Sequence, residues 1–324
     1  MSDRPGGVSV LDLEPISEDF LAEVVSGLSS SPRTLPCKFF YDERGAELFQ
    51  KICELPEYYI TRTETELLRR YGAQMAESIG ANAELIGFGT GAGIKTRMLL
   101  EHLENPIAYV PVDISKQRLT DSAAELSRAM PALEILPVCG DYLQPLQLPK
   151  SQRKPDHVAV YFPGSTIGNL EPEVAADFLR RVCRLCGRSG GLIIGVDLHK
   201  ERAVLEAAYN DSAGVTAHFN LNLLVRANRE LGADFDLPLW RHQAIFNDAD
   251  GRIEMHLISE ADQTVHVGGH EFRFALGGKI VTEFSYKYTQ EKFVRLAVSA
   301  GFQLARVWTD PKQLFAVFHF TVAD

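Results

Sequence analysis

The chain has 324 residues, 45% hydrophobic and 23% charged, which is the balance of an ordinary globular protein with one large α/β domain or two domains. A formal net charge of −10 with no basic cluster argues against nucleic acid as a substrate. No apolar stretch approaches a membrane span, and Met1 to Gly7 is polar with no signal core, so a cytoplasmic protein is expected.

In chain order, residues 1–16 read as loosely draped. Ser17 caps a helix over Glu18 to Leu28, with Phe20, Leu21, Val24 and Val25 on one face. A short helix is expected from Gly45 to Cys53. Leu55-Pro56-Glu57-Tyr58-Tyr59-Ile60 reads as irregular, because Pro56 breaks it. Its tyrosines suit either packing at a domain edge or a pocket wall with hydroxyl donors. Thr63 to about Glu77 is the next helix. Its Glu64 and Glu66 suit the positive end of the helix dipole.

From Glu84 a strand and helix alternation sets in. Leu85-Ile86 end a buried strand, Gly87, Gly89, Gly91 and Gly93 follow, and Lys95 to Leu103 is helical. Strand, glycine loop and helix open a nucleotide-binding unit, because glycines allow positive φ and close approach of a ligand. Asp113 ends the strand Tyr109 to Asp113, 20 residues after Gly93, where a carboxylate can hold ribose hydroxyls. Ser115 to Ala129 is a helix and Leu133 to Val138 the third strand. His157 to Phe162 and Gly191 to Val196 are further buried strands, with a helix from Glu171 to Cys186 between them.

The tail is informative. A helix from Thr289 to Ala300 precedes two strands, Phe302 to Asp310 and Leu314 to Val322. The link Pro311-Lys312-Gln313 is too short for a crossover, so they pair antiparallel. An α/β fold results, with a seven-stranded sheet and a C-terminal antiparallel hairpin. That is the class I methyltransferase (Rossmann-like) layout, and it favours S-adenosylmethionine over NAD.

About ninety residues between Leu198 and Tyr288 are an insertion. Helices are expected over Glu201 to Tyr209 and Thr216 to Leu231. Strands are expected over Gln243 to Asn247, Gly251 to Ser259, His270 to Ala275 and Lys279 to Tyr286. With the N-terminal segment this makes a second, discontinuous α+β substrate domain. The expected division is 61–198 with 287–324 for cofactor, 15–60 with 199–286 for substrate, and a pocket between them. Cys183 and Cys186 are spaced C-x-x-C inside a helical pattern with no second pair, so buried thiols are expected rather than zinc. His266 and His270 are separated by strand and turn residues. No metal is expected.

Several stretches then align together: Phe40-Tyr41-Asp42, Leu55-Pro56-Glu57-Tyr58-Tyr59, Lys95-Thr96-Arg97, Phe162-Pro163-Gly164-Ser165-Thr166-Ile167-Gly168-Asn169, Tyr209-Asn210-Asp211-Ser212 with Phe219-Asn220, Arg252-Ile253-Glu254-Met255 and Thr282-Glu283-Phe284-Ser285. In these the chain resembles the histidine N-α-methyltransferase family, the first enzyme of ergothioneine biosynthesis, from about residue 15 to the end. One departure is Gly87, which stands where the family usually has a carboxylate.

The resemblance implies three methyl transfers from S-adenosyl-L-methionine to the α-amine of L-histidine, giving hercynine. It implies a substrate site of Tyr41, Tyr58, Asn169, Tyr209, Met255, Glu283 and Ser285, in which Glu283 and Ser285 hydrogen-bond the imidazole. It implies a cofactor site of Gly89, Gly91, Lys95, Thr96, Asp113, Asp141 and Tyr142, in which Lys95 reaches the methionine carboxylate. No general base is assigned, because positioning and electrostatics can supply most of the rate. A monomer is expected. Two other readings stand beside this one: a methyltransferase acting on another amino acid such as a tryptophan derivative, and a non-catalytic ligand-binding relative suggested by Gly87.

Overall fold

A computed structural model describes residues 9–13, 20–89 and 93–323. The chain forms two compact units. The first comprises Met1–Pro15, Thr63–Leu198 and Tyr288–Asp324, and the second Ile16–Arg62 and His199–Lys287.

In the first unit a mixed sheet runs, edge to edge, through Leu11–Asp12, Val138–Cys139, Ala108–Asp113, Ala83–Phe88, His157–Phe162, Gly191–Asp197, Phe315–Val322 and Phe302–Thr309. The strands up to Gly191–Asp197 are parallel, and the last two are antiparallel. Gly191–Asp197 is buried along its whole length, as a strand covered on both faces must be. Phe293 of the helix Gln290–Ser299 packs against Phe318 and Phe320, at ring separations of 5.2 and 6.0 Å, and fixes the C-terminal hairpin on one face.

The seven-strand core is the expected class I layout, with two short additions. Leu11–Asp12 pairs in parallel with Val138–Cys139, so part of the segment read as loosely draped is an edge strand. The single strand expected over Leu133 to Val138 is divided into Glu134–Ile135 and Val138–Cys139. Pro137 lies in the break, where a residue without an N–H interrupts the ladder. Ser17 and Glu18 lie outside the described residues, as does Gly91. The first described helix is Phe20–Ser29.

The second unit has a three-stranded antiparallel sheet, Lys279–Tyr286, Arg252–Ser259 and Trp240–Asn247. A separate hairpin joins Gln263–Val267 to His270–Phe274. Gly268 and Gly269 have φ of 55° and 86°, the left-handed pair that a two-residue hairpin turn needs. The first of these strands was not expected from the sequence. The helices Glu43–Glu54, Arg202–Tyr209 and Val215–Leu231 also belong to this unit. Asp42 caps the first of them, accepting from the Gly45 N–H at 2.8 Å. Phe40 stacks on Phe219 at 4.4 Å in its core. The helix Tyr59–Ile79 starts earlier than expected, directly after the turn that Pro56 enforces, so Tyr59 is helical.

Candidate active site

Gly89, Asp113, Asp141 and Tyr142 come together at the carboxyl ends of three neighbouring parallel strands. That is where open α/β sheets bind ligands. Gly89 follows Ala83–Phe88 and donates its N–H to the Val112 carbonyl at 3.0 Å. Its φ is 56°, and a Cβ there would lie 3.5 Å from the Tyr142 ring. The missing side chain keeps a shallow cradle open beside that ring. Asp113 ends its strand in register with Cys139, and its carbonyl accepts from the Gly140 N–H at 3.0 Å. One carboxylate oxygen of Asp113 accepts from the Ser115 N–H at 2.9 Å, and one of Asp141 from the Leu143 N–H at 2.8 Å. Backbone thus fixes both carboxylates. Tyr142 is wedged among Phe88, Phe162 and Phe178, at ring separations of 5.4 to 5.9 Å. Glycine cradle, two oriented carboxylates and an anchored ring fit an adenosine.

Lys95 has a protein partner as well. Its ammonium, expected to reach a cofactor carboxylate, pairs with Glu64. The Glu64 side chain is 1% exposed, and both its oxygens also accept from the Gly164 N–H, at 3.0 and 2.9 Å. Glu64 is therefore an anchor for the turn after His157–Phe162, a role that helix-dipole reasoning did not reveal. In that turn Gly164 and Ser165 are both left-handed, at φ of 80° and 58°. The Ser165 hydroxyl accepts from the Asp197 N–H at 2.9 Å. Thr96 is buried, and its hydroxyl has no hydrogen-bond partner among the described residues. It lines a cavity with Tyr109 and Ser122 rather than joining the strand-end group. Asn169 closes the short helical turn Thr166–Asn169 and is half-buried.

Six of the expected substrate residues lie in the second unit. Glu283 and Met255 are opposite one another on paired strands, and Ser285 is two residues on from Glu283, so all three share one face. Met255 and Ser285 are buried, and Glu283 is half-buried. Burial pushes the Glu283 carboxyl up to about 7, with the Lys287 ammonium pulling it down. Tyr209, the last residue of its helix, has its hydroxyl 2.9 Å from the Ser285 hydroxyl and its ring 6.2 Å from that of Tyr58. Burial first, then Tyr209, Cys53 and Glu283, hold the Tyr58 hydroxyl well above the usual tyrosine value. Tyr41 packs edge-on to Phe49 at 5.5 Å and to Phe219 at 5.9 Å.

A polar relay with no role assigned from the sequence adjoins this group. The Thr282 hydroxyl donates to the Asn220 amide oxygen at 2.7 Å. The Asn220 amide nitrogen donates to His242 Nδ1 at 2.9 Å, which leaves Nε2 to donate to the Tyr209 carbonyl at 2.8 Å. Burial lowers the His242 pKa, in keeping with this neutral ring. The relay ties the strand carrying Glu283 to the helix end carrying Tyr209.

Residues 20–322 match the family model described as "Histidine-specific methyltransferase, SAM-dependent". The chain is 39% identical over 307 residues to a histidine N-alpha-methyltransferase of Mycolicibacterium smegmatis, covering 93% of this chain and 94% of the relative. It is 40% identical over 294 residues to a histidine N-alpha-methyltransferase of Mycobacterium tuberculosis, covering 89% and 90%. It is 27% identical over 317 residues to the N-methyltransferase dtpB of Aspergillus flavus, covering 94% and 89%. With the sheet order and the strand-end group, these matches place the chain in the histidine-specific, S-adenosylmethionine-dependent methyltransferase family.

Proposed function

We propose that this enzyme transfers three methyl groups from S-adenosylmethionine to the α-amine of L-histidine, giving hercynine, the first step of ergothioneine biosynthesis. The observation that carries the reading is the match of residues 20–322 to a histidine-specific family. The second unit supplies a chemical reason for the substrate. A carboxyl with a pKa of about 7 is matched to an imidazole, whose own value is near 6.5. Glu283 pairs with one ring nitrogen, Ser285 with the other, and Met255 covers the ring face.

S-Adenosylmethionine, held at Gly89, Asp113, Asp141 and Tyr142, supplies a methyl group on a sulfonium, an activated leaving group. The protein's part is positioning. The α-amine must present its lone pair in line at about 3–3.5 Å. Tyr58 stays protonated at neutral pH and so serves as a hydrogen-bond partner rather than a base. Tyr209 offers its hydroxyl to the substrate carboxylate.

A pocket built to hydrogen-bond its ligand rejects analogues lacking the group by roughly 10⁴–10⁵, whereas an apolar pocket discriminates weakly. In a competition assay with equal histidine and tryptophan, the wild type should methylate histidine almost alone. Glu283→Ala should lose much of that preference while S-adenosylhomocysteine binding stays intact. Equal use of tryptophan by the wild type would overturn the substrate reading.

A further inference from the structure

Lys287 does more than act on Glu283 through its charge, and its place is unusual. It lies two residues beyond Ser285 on the alternation that begins at Glu283, and it is 5% exposed. Its ammonium donates to the Tyr209 hydroxyl at 2.9 Å and to the Ser285 hydroxyl at 2.7 Å. It also lies 4.9 Å from the centre of the Tyr209 ring. The two hydroxyls are themselves 2.9 Å apart, so ammonium, phenol and serine form a closed triangle.

The triangle has a direction. An ammonium carries three donors and no acceptor, so both hydroxyl oxygens accept from Lys287. Their own hydrogens then point away from it. One hydrogen serves the contact between Tyr209 and Ser285, and the other is directed at a third group. Without Lys287 each hydroxyl oxygen would have a lone pair open on that side, and nothing there would keep the remaining hydrogen turned away.

We propose that Lys287 is the positioning residue of the amino-acid site: by donating to both hydroxyls it holds the Tyr209–Ser285 pair so that its one remaining hydroxyl hydrogen is presented to the substrate. The inference rests on the substrate reading given above and adds to it a residue that touches no substrate. Lys287 also places a positive charge beside a site that must take an α-carboxylate, and buried charge of one sign favours a ligand of the other. The role differs from that of a structural lysine, which would support folding without regard to which amino acid is bound.

The test uses the full chain with S-adenosylhomocysteine present, and calorimetry to read histidine affinity directly. Lys287→Met should weaken histidine binding about tenfold or more, the range for a lost buried hydrogen bond to a charged group. It should raise the histidine KM to match, with kcat changed less and S-adenosylhomocysteine affinity within about threefold of the wild type. In a Tyr209→Phe background the same change should add much less, because the two act as one unit. Lys287→Gln keeps an N–H donor on a shorter arm and should recover part of the loss. Unchanged histidine affinity in a Lys287→Met protein that binds S-adenosylhomocysteine normally would overturn the inference. Should Lys287→Met not fold, Lys287→Gln decides: a few-fold loss of histidine affinity supports the role, and an unchanged affinity overturns it. A wild type that neither binds nor methylates histidine would instead overturn the substrate reading, and this inference with it.

Discussion

Glu283 carries a pH signature that can be read without turnover. Its folded-state pKa of about 7 lies above the ordinary 4.5, raised by burial and partly offset by Lys287. Cys37 and Tyr58 also lie within its electrostatic reach, both uncharged at neutral pH because burial holds them protonated. The sign follows from proton counting. Between about 4.5 and 7 the folded protein holds a proton that the unfolded chain has lost, so this group's contribution falls as pH rises through that window. The full difference is about 3 kcal/mol. Glu283→Gln removes it. Melting temperatures at pH 5 and pH 8 should therefore show the variant gaining on the wild type as pH rises; a difference independent of pH would contradict the assignment. That Glu283 and Ser285 share one face was legible from Thr282-Glu283-Phe284-Ser285, because strand side chains alternate. Lys287 continues that alternation, so the sequence carried a signal for it. Glu64 gave no such signal, because its partners Lys95 and Gly164 are 31 and 100 residues away.

At the level of elements, function depends on where strands end. Ala83–Phe88, Ala108–Asp113 and Val138–Cys139 stop side by side: Gly89 follows the first, Asp113 ends the second, and Asp141 lies two residues past the third. The sequence revealed this because the spacing of glycine loop and acidic strand end is set by one strand–helix–strand unit. It did not reveal the helix start at Tyr59 or the strand Gln263–Val267. The first was hidden by Pro56. The second was short, and its Gly268-Gly269 turn was the only local mark. Asp113→Ala tests the arrangement, since it leaves the strands in place and removes the carboxylate. S-Adenosylhomocysteine affinity should fall about ten- to hundredfold, the equivalent of a buried charged hydrogen bond. An unchanged dissociation constant in a variant that melts as the wild type does would remove Asp113 from the site.

For the whole molecule, the layout followed from one short connection. The link Pro311-Lys312-Gln313 forces Phe302–Thr309 and Phe315–Val322 into an antiparallel pair, and that pair separates this sheet from ordinary dinucleotide-binding folds. The inserted second unit was legible as an insertion, while the relay from Thr282 through Asn220 and His242 to Tyr209 required the fold to bring distant segments together. Together these parts methylate the α-amine of histidine. The most direct measurement is mass spectrometry of L-histidine incubated with the full chain and S-adenosylmethionine labelled in its methyl group. Histidine should be recovered carrying three labelled methyl groups, all located on the α-nitrogen by fragmentation. Histidine recovered unlabelled, from folded protein that binds S-adenosylhomocysteine, would contradict it.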